Sequence, residues 1–168
     1  MIVVVLIGSV YALVLTGFNK KNIEIKRLEN IKDTLLPMWK KGVRVEMVVY
    51  NRCSQSAIFI NNELQEDVKS SLKSKLFKDI TIYKIDSTND TTKVKLSPII
   101  LDKKLYEVCF KFTLFPNGSS SSYIVKQGKR FYIFYPYFQY PKIFDSLEEA
   151  IEEYQLKKYM EITPHEAN

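Results

Sequence analysis

Two cysteines, Cys53 and Cys109, are the side chains best suited by type to do chemistry. A thiolate is a nucleophile or metal ligand when a nearby base or cation favours its ionised form. Two thiols form a disulfide when the fold brings them within reach. Cys109 falls in an alternating tract, residues 105–115, whose apolar face is Tyr106, Val108, Phe110, Phe112 and Leu114. It stands on the other face with Glu107, Lys111 and Thr113, although a small buried cysteine belongs with the apolar set. A disulfide to Cys53, in the polar loop 51–56, accounts for that placement and suits an exported domain. Two unrelated free thiols account for it equally, because spacing along the chain does not supply a distance. Thiol catalysis lacks its base, since the single histidine, His165, lies in the terminal tail.

His165 has no neighbouring cysteine and no paired spacing, so it is read as a solvated tail residue rather than a zinc ligand. Glu148, Glu149, Glu152 and Glu153 form an acidic cluster, with Lys157 and Lys158 further along. Acidic residues in the first turns and basic ones near the far end complement a helix dipole, which explains this cluster without chemistry. Glu153 and Lys157 are also four apart in the favourable order. No cofactor or metal is expected.

The most distinctive stretch is 129–144, KRFYIFYPYFQYPKIF. Alternation puts Phe131, Ile133 and Tyr135 on one face and Tyr132 and Phe134 on the other, so both faces are apolar. A strand buried on both faces reads this way. The functional alternative is an exposed patch for a protein partner, built from Arg130, Tyr132, Phe134, Tyr135, Tyr137, Phe138 and Tyr140. Aromatics beside Lys129 and Arg130 also have the chemistry to stack on bases. No RNA-binding signature or Gly-rich clamp accompanies them, so nucleic acid is not the expected partner.

These residues must be positioned by a body of 168 residues, 46% apolar and 13% aromatic, which is ample for one buried core. Residues 1–18, MIVVVLIGSVYALVLTGF, carry no charge. As a helix they would extend ~27 Å, just short of the hydrocarbon thickness of a bilayer. They are read as a transmembrane anchor. A cleaved signal peptide fits less well, since there is no basic n-region and Leu15 stands where a small residue is wanted. A core segment is the third reading, kept open by the β-branched run Ile2–Val5. The nearby cations Lys20, Lys21, Lys26, Arg27 and Lys32 all follow the span, which taken alone leaves the domain cytoplasmic. Two cysteines and an extreme N-terminal leader pull the other way, and the expectation is an extracytoplasmic domain.

Residues 19–41 are expected to form a linking or stalk helix, with Leu28, Ile31, Leu35 and Met38 as its apolar stripe. Residues 42–162 form the globular domain and 163–168 a tail. Within the domain the pattern predicts a strand over 43–50 and a short one over 57–60. An amphipathic helix is expected from Asn62, with Leu64, Val68, Leu72 and Leu76 four apart. Further strands are expected at 80–85, 94–101, 105–115, 123–126 and 131–135. A capped helix then opens at residues 145–149. This order predicts an α+β fold with a curved antiparallel sheet of about five to seven strands, covered by two or three helices.

Net charge is +6, from 25 basic and 19 acidic side chains, but the basic pairs are scattered and mostly solvate turns and helix ends. The expected function is therefore a membrane-anchored, non-enzymatic protein-binding module, such as an extracytoplasmic inhibitor, immunity-type or exclusion protein. The alternative is an accessory subunit of a membrane complex, in which Gly8, Ser9, Ala12 and Gly17 permit close helix approach.

Overall fold

The computed structural model describes residues 22–66, 68–72, 76–86, 90–136 and 139–162. In chain order the elements are β1 (Asn22–Ile25), the short helix α1 (Ile31–Leu35) between two 3-10 turns, β2 (Val45–Tyr50), β3 (Gln55–Ile60), β4 (Glu63–Leu64) and β5 (Lys69–Leu72). They continue with β6 (Ile80–Ile85), β7 (Thr91–Lys93), β8 (Ile99–Leu101), β9 (Lys104–Tyr106) and β10 (Val108–Leu114). The last are β11 (Tyr123–Gln127), β12 (Arg130–Phe134), β13 (Lys142–Phe144) and α2 (Leu147–Ile162).

The strands assemble mainly into two antiparallel sheets. One has four strands in the order β10-β2-β3-β4, the other five in the order β13-β12-β11-β6-β7. Period-two alternation decides which side chains meet between them. Val45, Met47 and Val49 of β2 join Phe110, Phe112 and Leu114 of β10 on the inner face of the first sheet. Ile82, Tyr123, Val125, Tyr132 and Phe134 answer from the second. Phe110 packs within 6.3 Å, centroid to centroid, of Phe77, Tyr123 and Phe134, so the core is built largely of aromatic edges and faces. Ile25, Leu28, Ile31 and Leu35 close it from the N-terminal segment.

The second sheet is apolar on its outer face as well. Ile124, Phe131, Ile133 and Tyr135 pack there against Ala150 of α2, with Leu147, Ile151 and Tyr154 around them. The helix begins where expected, because Ser146 Oγ accepts a hydrogen bond from the Glu149 backbone N–H at 3.1 Å. β12 is thus covered on both faces, as its unbroken apolar run requires.

The α+β, mostly antiparallel architecture agrees with the sequence, but several elements differ. Two main sheets replace the single curved one, accompanied by a parallel pair β1-β5 and a separate hairpin β8-β9. Among the described residues of 62–76, where a helix is expected, none is helical. Asn61 and Asn62 have φ of 50° and 70°, and this left-handed pair turns β3 tightly back into β4. Asn62 is therefore a turn residue rather than a helix cap. A four-residue repeat of aliphatic residues is also a multiple of two, so it marks one face of extended chain as readily as one side of a helix. The expected helix over 19–41 is likewise shortened. Ile23 and Ile25 alternate as strand, and among the described residues of that stretch only 28–38 are helical, ending in a 3-10 turn that holds Pro37. The strand expected over 94–101 forms only at its end, as β8. No helix among the described residues is long and apolar enough to cross a membrane. The leader 1–18 and the tail 163–168 with His165 lie outside the described residues.

Candidate functional site

Cys53 and Cys109 are joined in a disulfide, with Cα atoms 5.6 Å apart although they stand 56 positions apart in sequence. Local backbone brings this about from both sides. Asn51, Arg52 and Cys53 all adopt positive φ, from 50° to 62°, in the tight turn from β2 to β3. On β10 the register slips between Val108, paired with Tyr50, and Phe110, paired with Val49. Cys109 is the extra residue of a β-bulge, which re-aims its side chain out of the strand's alternation. Its odd placement among polar neighbours has this cause.

Beside the disulfide stands the β8-β9 hairpin, outside both main sheets. Asp102 and Lys103, with φ of 49° and 63°, make its tight turn. Ile100 and Leu105 are directly paired across it and are 71% and 69% exposed. A cross-strand pair of large aliphatic side chains facing water leaves about 1.5–3 kcal/mol of burial energy per residue unrealised. The base of the hairpin is held by an edge-on contact between Tyr106 and Tyr50, with centroids 5.2 Å apart. Residues 94–98 run as a strap from β7 to the hairpin, with Val94 and Leu96 packed on the core and Lys95 exposed. Leu96, Pro98, Leu105 and Val108 line a cleft of about 290 Å³ at the hairpin base. A second cleft, of about 390 Å³, lies alongside the disulfide under Lys93 and Lys95.

A third feature is a charge cluster on the first sheet. Glu46 is buried, and its carboxylate accepts from Arg44 Nη2 at 2.6 Å, Lys111 Nζ at 2.7 Å and Thr113 Oγ1 at 3.0 Å. Burial pushes its pKa up, yet the bonds from Lys111, Arg44 and Thr113 outweigh this and hold it below the usual carboxylate value. Arg44, Lys84, Lys111 and Ser121 line a cleft of about 290 Å³ on this side.

The aromatic tract is divided by the fold. Tyr132, Phe134 and Tyr135 are 7%, 1% and 3% exposed and serve the two cores. Arg130 is exposed and borders, with Tyr132, Lys26 and Arg27, a polar hollow of about 340 Å³. Tyr140 is 72% exposed, while Tyr137 and Phe138 lie outside the described residues. Lys157 stacks on the Tyr135 ring at 4.2 Å, and Glu153 pairs with Lys142 rather than with Lys157. Buried Lys32 ties α1 to this tract, donating to the carbonyls of Tyr135 at 3.4 Å and Gln139 at 3.2 Å. Burial lowers its pKa to about 8, against the charge of Asp33. The exposed Ile100–Leu105 pair was not among the residues expected to bind a partner. Its sequence signal is the run Ile99–Leu101 before the Asp102–Lys104 turn, apolar on both faces although the hairpin has no second sheet to bury both.

No family model, curated protein or solved structure matches this chain.

Proposed function

We propose that this chain is a membrane-anchored, non-enzymatic protein-binding module that grips its partner with the β8-β9 hairpin. The observation that carries the reading is the solvent-facing pair Ile100 and Leu105, exposed on a hairpin whose base is held by packing and a neighbouring disulfide. Interface hot spots are apolar anchors presented by rigid elements and ringed by polar groups. Here the ring is Asp102, Lys103, Lys104 and Lys95, all exposed. The disulfide supports an oxidising, extracytoplasmic setting and leaves no thiol for nucleophilic chemistry. Membrane attachment rests on the uncharged leader 1–18. Inhibitor, immunity-type and exclusion proteins act in this way, by occupying a partner rather than transforming it.

The test is paired affinity capture from detergent-solubilised membranes with the wild-type chain and the double variant Ile100→Glu, Leu105→Glu. The expected result is a specific partner retained by the wild type and lost by the variant, with unchanged thermal melting. Equal capture by both removes the hairpin from the reading. Recovery of the intact, uncleaved chain in the aqueous fraction without detergent removes the anchor.

A further inference from the structure

We infer that the cleft beside Glu46 is a second binding site, selective for a carboxylate carried on a short apolar body. The cleft has two kinds of wall. Arg44, Lys84, Lys111 and Ser121 supply charge and hydrogen-bonding groups. Ile82, Val94, Leu96 and Phe115 contribute to an apolar wall that makes up the larger share of the surface. At about 290 Å³ it stands at the small end of ligand sites.

The charge within it is not balanced. Arg44, Lys84 and Lys111 line it without a carboxylate among the lining residues, and the neighbouring Glu46 is already satisfied by Arg44, Lys111 and Thr113. Lys84 makes no ion pair among the described residues. Arg44 spends Nη2 on Glu46, yet its side chain remains 35% exposed at the cleft. A carboxylate can accept from guanidinium and ammonium donors together, and its charge answers the excess of cations. The apolar wall favours a carboxylate with an alkyl or aromatic body over a compact, fully hydrated anion such as phosphate, which leaves that wall uncovered. Two sources carry this chemistry: a free short-chain carboxylic acid, and the C-terminal residue of a partner polypeptide. The site is independent of the hairpin, so it stands or falls separately from the proposed function.

The experiment is a titration of the full chain, in detergent, followed by the amide resonances of residues 120–123 and 111–113. The probes are hexanoate, N-acetyl-leucine and the uncharged N-acetyl-leucinamide. Saturable shifts are expected with at least one of the two carboxylates and not with the amide. Stronger binding of hexanoate identifies a free acid as the source, and stronger binding of N-acetyl-leucine a chain terminus. Lys84→Gln, an exposed substitution on β6, is expected to weaken binding about fivefold through loss of one solvent-screened charge interaction. Lys84→Glu is expected to weaken it further. The site is disproved by shifts of equal size with the amide, by no saturable shift with either carboxylate, or by full affinity in both Lys84 variants.

Discussion

At the scale of single residues, two buried charges give this protein a pH signature. The Lys32 ammonium is 4% exposed, and burial lowers its pKa from 10.5 to about 8. Between those values the unfolded chain still holds the proton that the folded chain has lost, so stability rises with pH over that window. The full difference is on the order of 3 kcal/mol, at 1.36 kcal/mol per unit. Burial holds the Tyr123 hydroxyl well above its ordinary value of 10, so above that pH the unfolded tyrosine ionises first and stability falls again. Urea unfolding midpoints are therefore expected to climb from pH 8 to a maximum near 10, and Lys32→Met is expected to flatten the climb. An unchanged slope in that variant refutes the assignment. Glu46 acts at the acid end with the opposite sign. Its folded pKa lies below the ordinary 4.5, so its contribution is complete above that value and is lost as pH falls through the lower one. Glu46→Gln is expected to destabilise by about 1–3 kcal/mol at neutral pH, by weakening charged hydrogen bonds to Arg44 and Lys111. It should also reduce the loss below pH 4.5, as measured by urea titrations at pH 3, 4 and 7.

At the scale of elements, the hairpin and the terminal helix make opposite uses of apolar side chains. α2 buries Ala150 completely against the second sheet and so completes the fold. β8 and β9 leave Ile100 and Leu105 to solvent on a hairpin outside either main sheet. Two-stranded hairpins are marginal by themselves, and this one depends on Tyr50, Tyr106 and the adjoining strap. Substitutions at its tip should therefore separate binding from folding. Ile100→Ala and Leu105→Ala are each expected to weaken partner affinity by about 2 kcal/mol, the range of interface hot spots, while melting temperature stays within a degree or so. A calorimetric titration with the captured partner checks this. Undiminished affinity in both single variants places the contact elsewhere.

At the scale of the whole molecule, the disulfide joins two points of the first sheet that the chain separates by 56 positions. Closing a loop of this length restricts the unfolded state by about 4 kcal/mol in the chain-entropy account. Reduction, or the double variant Cys53→Ser, Cys109→Ser, is expected to lower unfolding free energy by that order. The measurement is urea denaturation with and without reductant. The same bond holds the β2–β3 turn against the bulge beside β9, so broadened hairpin resonances should accompany the loss. Stability equal to wild type in the reduced protein would show that the bond is incidental to the fold.

The sequence by itself determined whatever depends on near neighbours. Alternation marked β2, turn residues bounded β6, β11 and β12, and the Ser146–Glu149 pair marked the start of α2, because these signals act within a few residues. The two apolar faces of 131–135 announced a strand covered on both sides, and the structure supplies a core and a helix to cover it. Cys53 and Cys109 were legible as a candidate pair, but only the fold could bring them together. That juncture depends on a left-handed turn and a β-bulge that no periodicity encodes. Tertiary structure also decided the segment 62–76, where Asn61 and Asn62 turn the chain and aliphatic spacing alone cannot separate strand from helix. It decided above all which apolar residues stay outside. Tyr132, Phe134 and Tyr135 have the composition of a binding patch and were buried, while Ile100 and Leu105 look like core and were left in water. Burial is a property of what packs on a residue from elsewhere in the chain, and a sequence states only what that residue would prefer.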